Sequence, residues 1–171
     1  MVSKIYFAGG CFWCTEAIFR RVEGVEKVLP GYIGGHLKNP SYKEVCSGIT
    51  GHAEAVSIEF NNKIISLEKL LLIFFQTHDP TQLNRQGKDI GTQYRSAIFY
   101  TNHRQKEFIE IIINKLSKSI FNKKKIVTKV ELAKDFYIAE KEHLNYFNSN
   151  SNQPYCQLVI SPKIEKLNEI L

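Results

Sequence analysis

Two cysteines enclose two large aromatic residues in Cys11-Phe12-Trp13-Cys14, directly after the glycine pair Gly9-Gly10. The thiolate is the reactive form of cysteine, and it is favoured where free backbone N–H groups and a helix N-terminus face the sulfur. The neighbouring residues are arranged for that. Lys4 to Ala8 reads as a short strand with Ile5 and Phe7 on one face, and Ala17, Ile18, Phe19, Val22 and Val25 begin a helical apolar spacing. Gly9-Gly10 permits a sharp strand-to-helix turn, which puts Cys11 at or just before a helix N-terminus. A nucleophile with an apolar pocket beside it is the first expectation.

A carboxyl is the second candidate. From Glu54 the chain alternates, with Glu54, Val56, Ile58 and Phe60 on one face and Ala55, Ser57 and Glu59 on the other. Glu54 therefore stands at the mouth of a strand on the side of three core residues. A carboxylate there is costly unless it is paired or protonated, and a carboxyl with a raised pKa can act as an acid near neutral pH.

C-x-x-C has other uses. A closed zinc site needs further ligands, and Cys46 and Cys156 stand alone without a second paired spacing, so no metal is expected. A general thiol–disulfide oxidoreductase using Cys11 and Cys14 is the alternative reading. It leaves Glu54 without a purpose.

The 171 residues predict a single domain, with a core that needs no disulfide or metal. The N-terminus lacks the apolar run of a signal peptide, and no uninterrupted apolar stretch is long enough to span a membrane. Four cysteines without a secretory signal point to a reducing compartment, by default the cytoplasm. The net charge of +6 owes much to Lys115, Lys118 and Lys123-Lys124-Lys125 near the end of a helix. Cations there suit the dipole, and no nucleic-acid-binding signature accompanies them; neither nucleic acid nor membrane is expected as a partner.

Further along, Glu26 to Gly31 reads as a strand leading to the loop glycines Gly34-Gly35, and Ser41 with Glu44 forms a capping box that puts Tyr42 in the first turn of a short helix. Ser66 caps a helix over Leu67 to Thr77. Thr81 to Tyr94, which includes Asp89, reads as a polar loop, Arg95 to Tyr100 as a strand, and Asn102 to about Phe121 as a long helix. Ile126 to Leu132 reads as a strand, Asn150 to Pro154 as a flexible approach to Tyr155-Cys156, and the segment after Pro162 as a last helix. Irregularly alternating strands and helices predict an α/β (α+β) protein, a two-layer sandwich around a small mixed β-sheet, ferredoxin-like in outline. His52 and His78 are expected to support loops, and Cys46 to be a buried structural thiol.

Six blocks occur in order: Gly10-Cys11-Phe12-Trp13; Gly31-Tyr32-x-Gly34-Gly35; Asn39-Pro40-Ser41-Tyr42 through Gly48; Thr50-Gly51-His52-Ala53-Glu54-Ala55-Val56; His78-Asp79-Pro80-Thr81; and Arg85-Gln86-Gly87-x-Asp89 with Gly91 to Ile98. Together they closely resemble the peptide methionine sulfoxide reductase A family over about residues 4 to 160. The resemblance implies reduction of the S-epimer of methionine sulfoxide, in oxidised proteins, in peptides and as the free amino acid. It makes Cys11 the nucleophile, Phe12 and Trp13 the pocket for the S-methyl group, Glu54 the acid, Tyr42 and Tyr94 hydroxyl donors to the sulfoxide oxygen, and Asp89 a lining residue. It implies thioredoxin as reductant, no cofactor, and a monomer.

Two places depart from the common pattern of that family. Cys14 stands where many members have glycine, and the C-terminus carries Cys156 followed by a helix rather than a glycine-rich tail with a further cysteine. Attack on the sulfoxide leaves a sulfenic acid that a second thiol condenses to a disulfide. Cys14 and Cys156 both qualify. Closing a Cys11–Cys14 bond threatens the orientation of Phe12 and Trp13, so the sequence favours Cys156.

Overall fold

The computed structural model describes residues 1–171. A six-stranded sheet runs through it in the order β7-β6-β1-β3-β2-β8. The strands are β1 (Val2–Gly9), β2 (Val25–Ile33), β3 (Ala53–Asn61), β6 (Ser96–Tyr100), β7 (Lys129–Leu132) and β8 (Phe136–Ile138). Neighbours are antiparallel except β6 with β7, which makes the sheet mixed. A small hairpin, β4 (Arg85–Gln86) with β5 (Asp89–Ile90), stands apart from it.

The alternation in β1 and β3 divides the core. Ile5, Phe7, Val56, Ile58 and Phe60 face one way and join a cluster of 24 buried residues with α1 (Phe12–Phe19), α3 (Leu67–Thr77), α4 (His103–Lys118) and α6 (Ser161–Ile170). Tyr6, Ala8, Ala53, Ala55 and Ala97 face the other way, where small side chains let the chain around Ala133 and Phe136 lie close. Phe7 is wholly buried and stacks on Phe74 at 4.6 Å between ring centroids, with Phe19 at 5.2 Å. Phe7→Ala should lower unfolding stability by about 3–5 kcal/mol, the usual cost of emptying a buried aromatic site. Denaturant titration measures it, and a loss below 1 kcal/mol, roughly that of a surface change, would contradict the packing described.

Local signals hold at several element starts. Gly10 has φ +96°, the left-handed conformation expected of the strand-to-helix turn, and Cys11 is the N-cap of α1. The capping box of α2 (Tyr42–Cys46) forms in both directions, Glu44 N–H to Ser41 Oγ at 3.1 Å and Ser41 N–H to Glu44 Oε1 at 3.0 Å. Ser66 Oγ accepts from Lys69 N–H at 3.1 Å.

Four expectations need correction. The polar loop over Thr81 to Tyr94 contains the β4–β5 hairpin and a turn of 3₁₀ helix, Thr92–Tyr94. Strand β8 went unread, and it pairs Ile138 with Gly31 on the edge of β2. A Cβ on Gly31 would lie 2.4 Å from the Tyr137 carbonyl oxygen, so this glycine serves close approach. The approach to Cys156 is ordered: α5 (Tyr146–Ser149) is followed by a turn, and the chain is helical from Pro154. A π-helical turn, Cys156–Ile160, runs straight into α6, with Pro162 at the start of α6 rather than before it. Proline lacks the N–H that would bond one turn back, which suits a widened turn at that point. Finally, Cys46 is exposed; its neighbour Val45 is the residue of α2 that enters the core. No helix is long and apolar enough to cross a membrane.

Candidate active site

The site forms where the N-terminus of α1 meets the mouth of β3. Glu54 is almost wholly buried, and its Oε1 accepts the N–H of Phe12, the first amide of α1, at 3.1 Å. Oε2 is buried without a partner. Burial pushes the carboxyl up to about 8, outweighing the Phe12 N–H, which favours the charged form. Near neutral pH Glu54 is therefore mostly protonated, with one oxygen anchored and the other free. An unsatisfied buried polar atom costs about 1–3 kcal/mol, and such an atom in a native site calls for a functional account.

Cys11 and Cys14 are buried in one cluster, and Cys14 N–H bonds to the Cys11 carbonyl at 3.1 Å. Burial, the Cys14 contact and the Glu54 charge push Cys11 well above the usual thiol range. The adjacent Cys11 thiol, working against burial and helped by Lys163 and Tyr155, lowers Cys14 to about 7. The two sulfurs thus titrate as a pair holding one thiolate near neutral pH. Protonation of Glu54 removes its share of the upward push on Cys11, although burial and Cys14 still hold that thiol high and the shared charge favours Cys14.

Tyr42, in the first turn of α2, lies against Phe12 at 6.1 Å and Trp13 at 6.5 Å between ring centroids. Tyr94 ends the 3₁₀ turn and packs on the cluster containing Cys11 and Cys14. Burial raises both phenols well above their ordinary value, so they remain neutral donors. Asp89, on β5, accepts from the Tyr155 hydroxyl at 2.7 Å, and that hydroxyl lies 3.7 Å from Cys14 Sγ. Trp13 stacks on Tyr146 at 3.7 Å with an interplanar angle of 7°, while Phe12 is fully buried beneath Tyr42. Cys156 is buried in the same cluster as Cys11 and Cys14. The sequence-derived residues thus converge from six separate segments.

His52 braces a loop as expected, whereas His78 ties the end of α3 to β6. His52 Nδ1 accepts from Gly35 N–H at 3.0 Å, and its Nε2 lies 2.7 Å from the Leu37 carbonyl. His78 bridges Phe74 O and Ser96 Oγ, and burial lowers it to about 4.

Sequence reasoning missed His143, Glu140 and Tyr155. His143 Nδ1 accepts the Trp13 Nε1–H at 3.1 Å, and its ring lies 4.3 Å from that of Tyr42. Burial lowers its pKa, which preserves that neutral acceptor. Glu140 receives the Tyr32 hydroxyl and the Tyr42 N–H, each at 2.8 Å. Although burial raises its pKa, these bonds hold it below the usual carboxylate value. A signal was available in Glu140-Lys141-Glu142-His143, which spaces a carboxylate and an imidazole one helical turn apart.

Comparison with known proteins agrees with this geometry. The sequence profile of the family "Peptide methionine sulfoxide reductase" matches residues 3–170. The chain is 55% identical over 166 residues to the peptide methionine sulfoxide reductase MsrA of Nitratiruptor sp., covering 97% of this chain and 94% of the relative. It is 52% identical to that of Nautilia profundicola, covering 96% and 94%. Among solved structures, reduced Mxr1 from Saccharomyces cerevisiae superposes with a TM-score of 0.85 at 36% identity, covering 91% of this chain and 89% of that one. Mxr1 has also been solved in complex with Trx2, and that chain matches with a TM-score of 0.60 at 26% identity, covering 85% and 84%. The chain belongs to the peptide methionine sulfoxide reductase family.

Proposed function

We propose that this protein reduces the S-epimer of methionine sulfoxide, in proteins and peptides and as the free amino acid, through the Cys11 sulfur. The carrying observation is the Glu54 carboxyl, protonated near neutral pH, with one oxygen fixed by Phe12 N–H and the other unpartnered beside the buried thiol pair. A sulfoxide oxygen leaves poorly as an oxide. Glu54 supplies the proton that makes it leave, and the Tyr42 and Tyr94 hydroxyls steady the developing charge without adding any. Asp89 lines the same pocket, and Phe12 and Trp13 enclose the S-methyl group. The Cys11 thiolate bonds to the substrate sulfur and the protonated oxygen leaves as water. Attack of water on the Cys11 sulfur then breaks the new S–S bond, releasing methionine and a proton and leaving Cys11 as a sulfenic acid.

A second thiol then attacks the Cys11 sulfur and releases water. Cys14 is favoured here, in place of Cys156, because it lies within one helical turn of Cys11 in the same buried cluster and its thiol is lowered to about 7, whereas burial raises that of Cys156. Thioredoxin reduces the resulting disulfide, a reading supported by the Mxr1–Trx2 complex of a relative. The alternative of a general disulfide oxidoreductase has no task for Glu54. The fold reading extends to a single ferredoxin-like, two-layer catalytic domain over residues 1–171: β1-α1-β2 and β3-α3-β6 are two strand–helix–strand units whose strands lie in the order β6-β1-β3-β2. We assign it a monomeric role in a reducing compartment such as the cytoplasm, where its four cysteines stay available as thiols.

The test is turnover of separated sulfoxide epimers, followed by peptide mapping after one equivalent of substrate without reductant. The S-epimer alone should be consumed, with a Cys11–Cys14 bond in the digest. Consumption of the R-epimer contradicts the substrate assignment, and a Cys11–Cys156 bond transfers the resolving role to Cys156.

A further inference from the structure

The sulfur pair has a second opening. A cleft of about 680 Å³ is bordered by Cys11 and Cys14, by Leu158, Pro162 and Lys163 of the C-terminal helical segment, and by Lys88 of the β4–β5 hairpin. Trp13, Tyr42, Glu54 and Tyr94, which the sulfoxide requires, do not border it, while Asp89 and the two cysteines are shared by both openings. Leu158 is conspicuous there. The π-helical turn buries Cys156 and Ile160 but leaves Leu158 77% exposed beside the reactive thiols. It contributes little to the fold from that position, and an apolar side chain on the rim of a mainly apolar cleft marks a contact surface.

We infer that this cleft docks the dithiol reductant, a thioredoxin, whose apolar active-site loop covers Leu158 and delivers its thiolate to Cys14 while the sulfoxide is handled at the other mouth. The occupant follows from the floor of the cleft: once oxidised, Cys11 and Cys14 present an S–S bond there, and a thiolate must reach it. Lys88 and Lys163 add positive charge at the rim, which suits a partner face with an acidic margin and raises its encounter rate. This inference rests on the proposed Cys11–Cys14 disulfide.

The chemistry balances. The thioredoxin thiolate bonds to Cys14 Sγ, the Cys11–Cys14 bond breaks, and Cys11 leaves as thiolate. The second thioredoxin thiol loses its proton and displaces Cys14, which leaves as a thiolate and takes up a proton. Thioredoxin gives two electrons and becomes a disulfide, and both protein sulfurs end reduced.

Leu158→Glu and Lys88→Glu test the surface, with initial rates measured against thioredoxin and, separately, against dithiothreitol. Leu158→Glu should lower kcat/KM for thioredoxin about tenfold, equivalent to about 1.4 kcal/mol. Dithiothreitol-driven turnover and the KM for the sulfoxide should not change. Lys88→Glu should give a smaller loss that fades at high salt. Unchanged thioredoxin kinetics in Leu158→Glu, together with a mapped Cys11–Cys14 bond, would overturn the docking surface alone. A raised KM for sulfoxide peptides with normal thioredoxin kinetics would also overturn it, assigning the cleft to the substrate chain. A mapped Cys11–Cys156 bond would remove the disulfide on which the inference depends, whatever Leu158→Glu does.

Discussion

Cys11→Ser is expected to abolish methionine release, in single turnover as well as with reductant present, while unfolding as cooperatively as the parent. A serine hydroxyl at the same N-cap is almost wholly protonated at neutral pH and is a far weaker nucleophile than a thiolate. Loss of a covalent nucleophile costs on the order of 10⁴-fold or more. The structure gives little reason for instability in this variant, since Cys11 makes no side-chain cap to α1 and serine is a favoured N-cap residue. Its effect should therefore be confined to chemistry. Rates are read as methionine released per protein, and stability by denaturant titration. Residual turnover above one-hundredth of the parent would remove Cys11 from the nucleophile's role.

Glu54→Gln carries the second large effect. Glutamine retains an oxygen to accept the Phe12 N–H but has no acidic proton, so single-turnover reduction should fall by about 10²-fold, the lower end of what a positioned acid contributes. The variant should fold at least as well. A group whose folded pKa is raised, here from the usual 4.5 to about 8, gives a stability that is full below 4.5 and lost as pH rises through about 8. A neutral side chain avoids that loss. Alkylation of Cys11 by iodoacetamide supplies the control, because it needs no protonated oxygen and the Glu54 charge raises the Cys11 pKa. Alkylation should be as fast in the variant or faster. An equal fall in alkylation and reduction would mean that Glu54 acts on the thiol's surroundings rather than as an acid.

What the sequence reveals and hides at this site follows from the range of the forces involved. The Gly9-Gly10 turn, the Ser41–Glu44 box and the alternation that buries Glu54 each depend on residues a few positions apart, and all three read correctly. Strand β8 is only three residues long and exists through pairing with β2, where Gly31 lets the Tyr137 carbonyl approach; no local pattern announces that contact. It matters because β8 leads directly to Glu140 and His143, which brace Tyr42 and Trp13. Pro162 read as a helix start because proline suits the first turn, but the π-helical turn before it carries the helix back to Pro154. This buries Cys156 where a flexible approach was expected. Cys46 was misjudged through its apolar neighbour: a short helix turns Val45 to the core and Cys46 to solvent. The convergence of Cys11, Glu54, Tyr42, Tyr94 and Asp89 was legible through the ordered family blocks, not through any spacing rule, because these residues meet only through the tertiary fold.

The central claim is that protonated Glu54 opposes the Cys11 sulfur, and the pH dependence of single-turnover methionine release from the S-sulfoxide tests it most directly. The pair loses its first proton at Cys14, at about 7, and exchange of the remaining proton between the two sulfurs supplies the Cys11 thiolate, so the rate should rise with pH through about 7. The acid needs its proton, so the rate should fall through about 8. Parent protein should show both limbs of a narrow bell, whereas Glu54→Gln should keep the rise and lose the alkaline fall. The same alkaline fall in both proteins, or no alkaline fall in the parent, would contradict Glu54 as the proton donor.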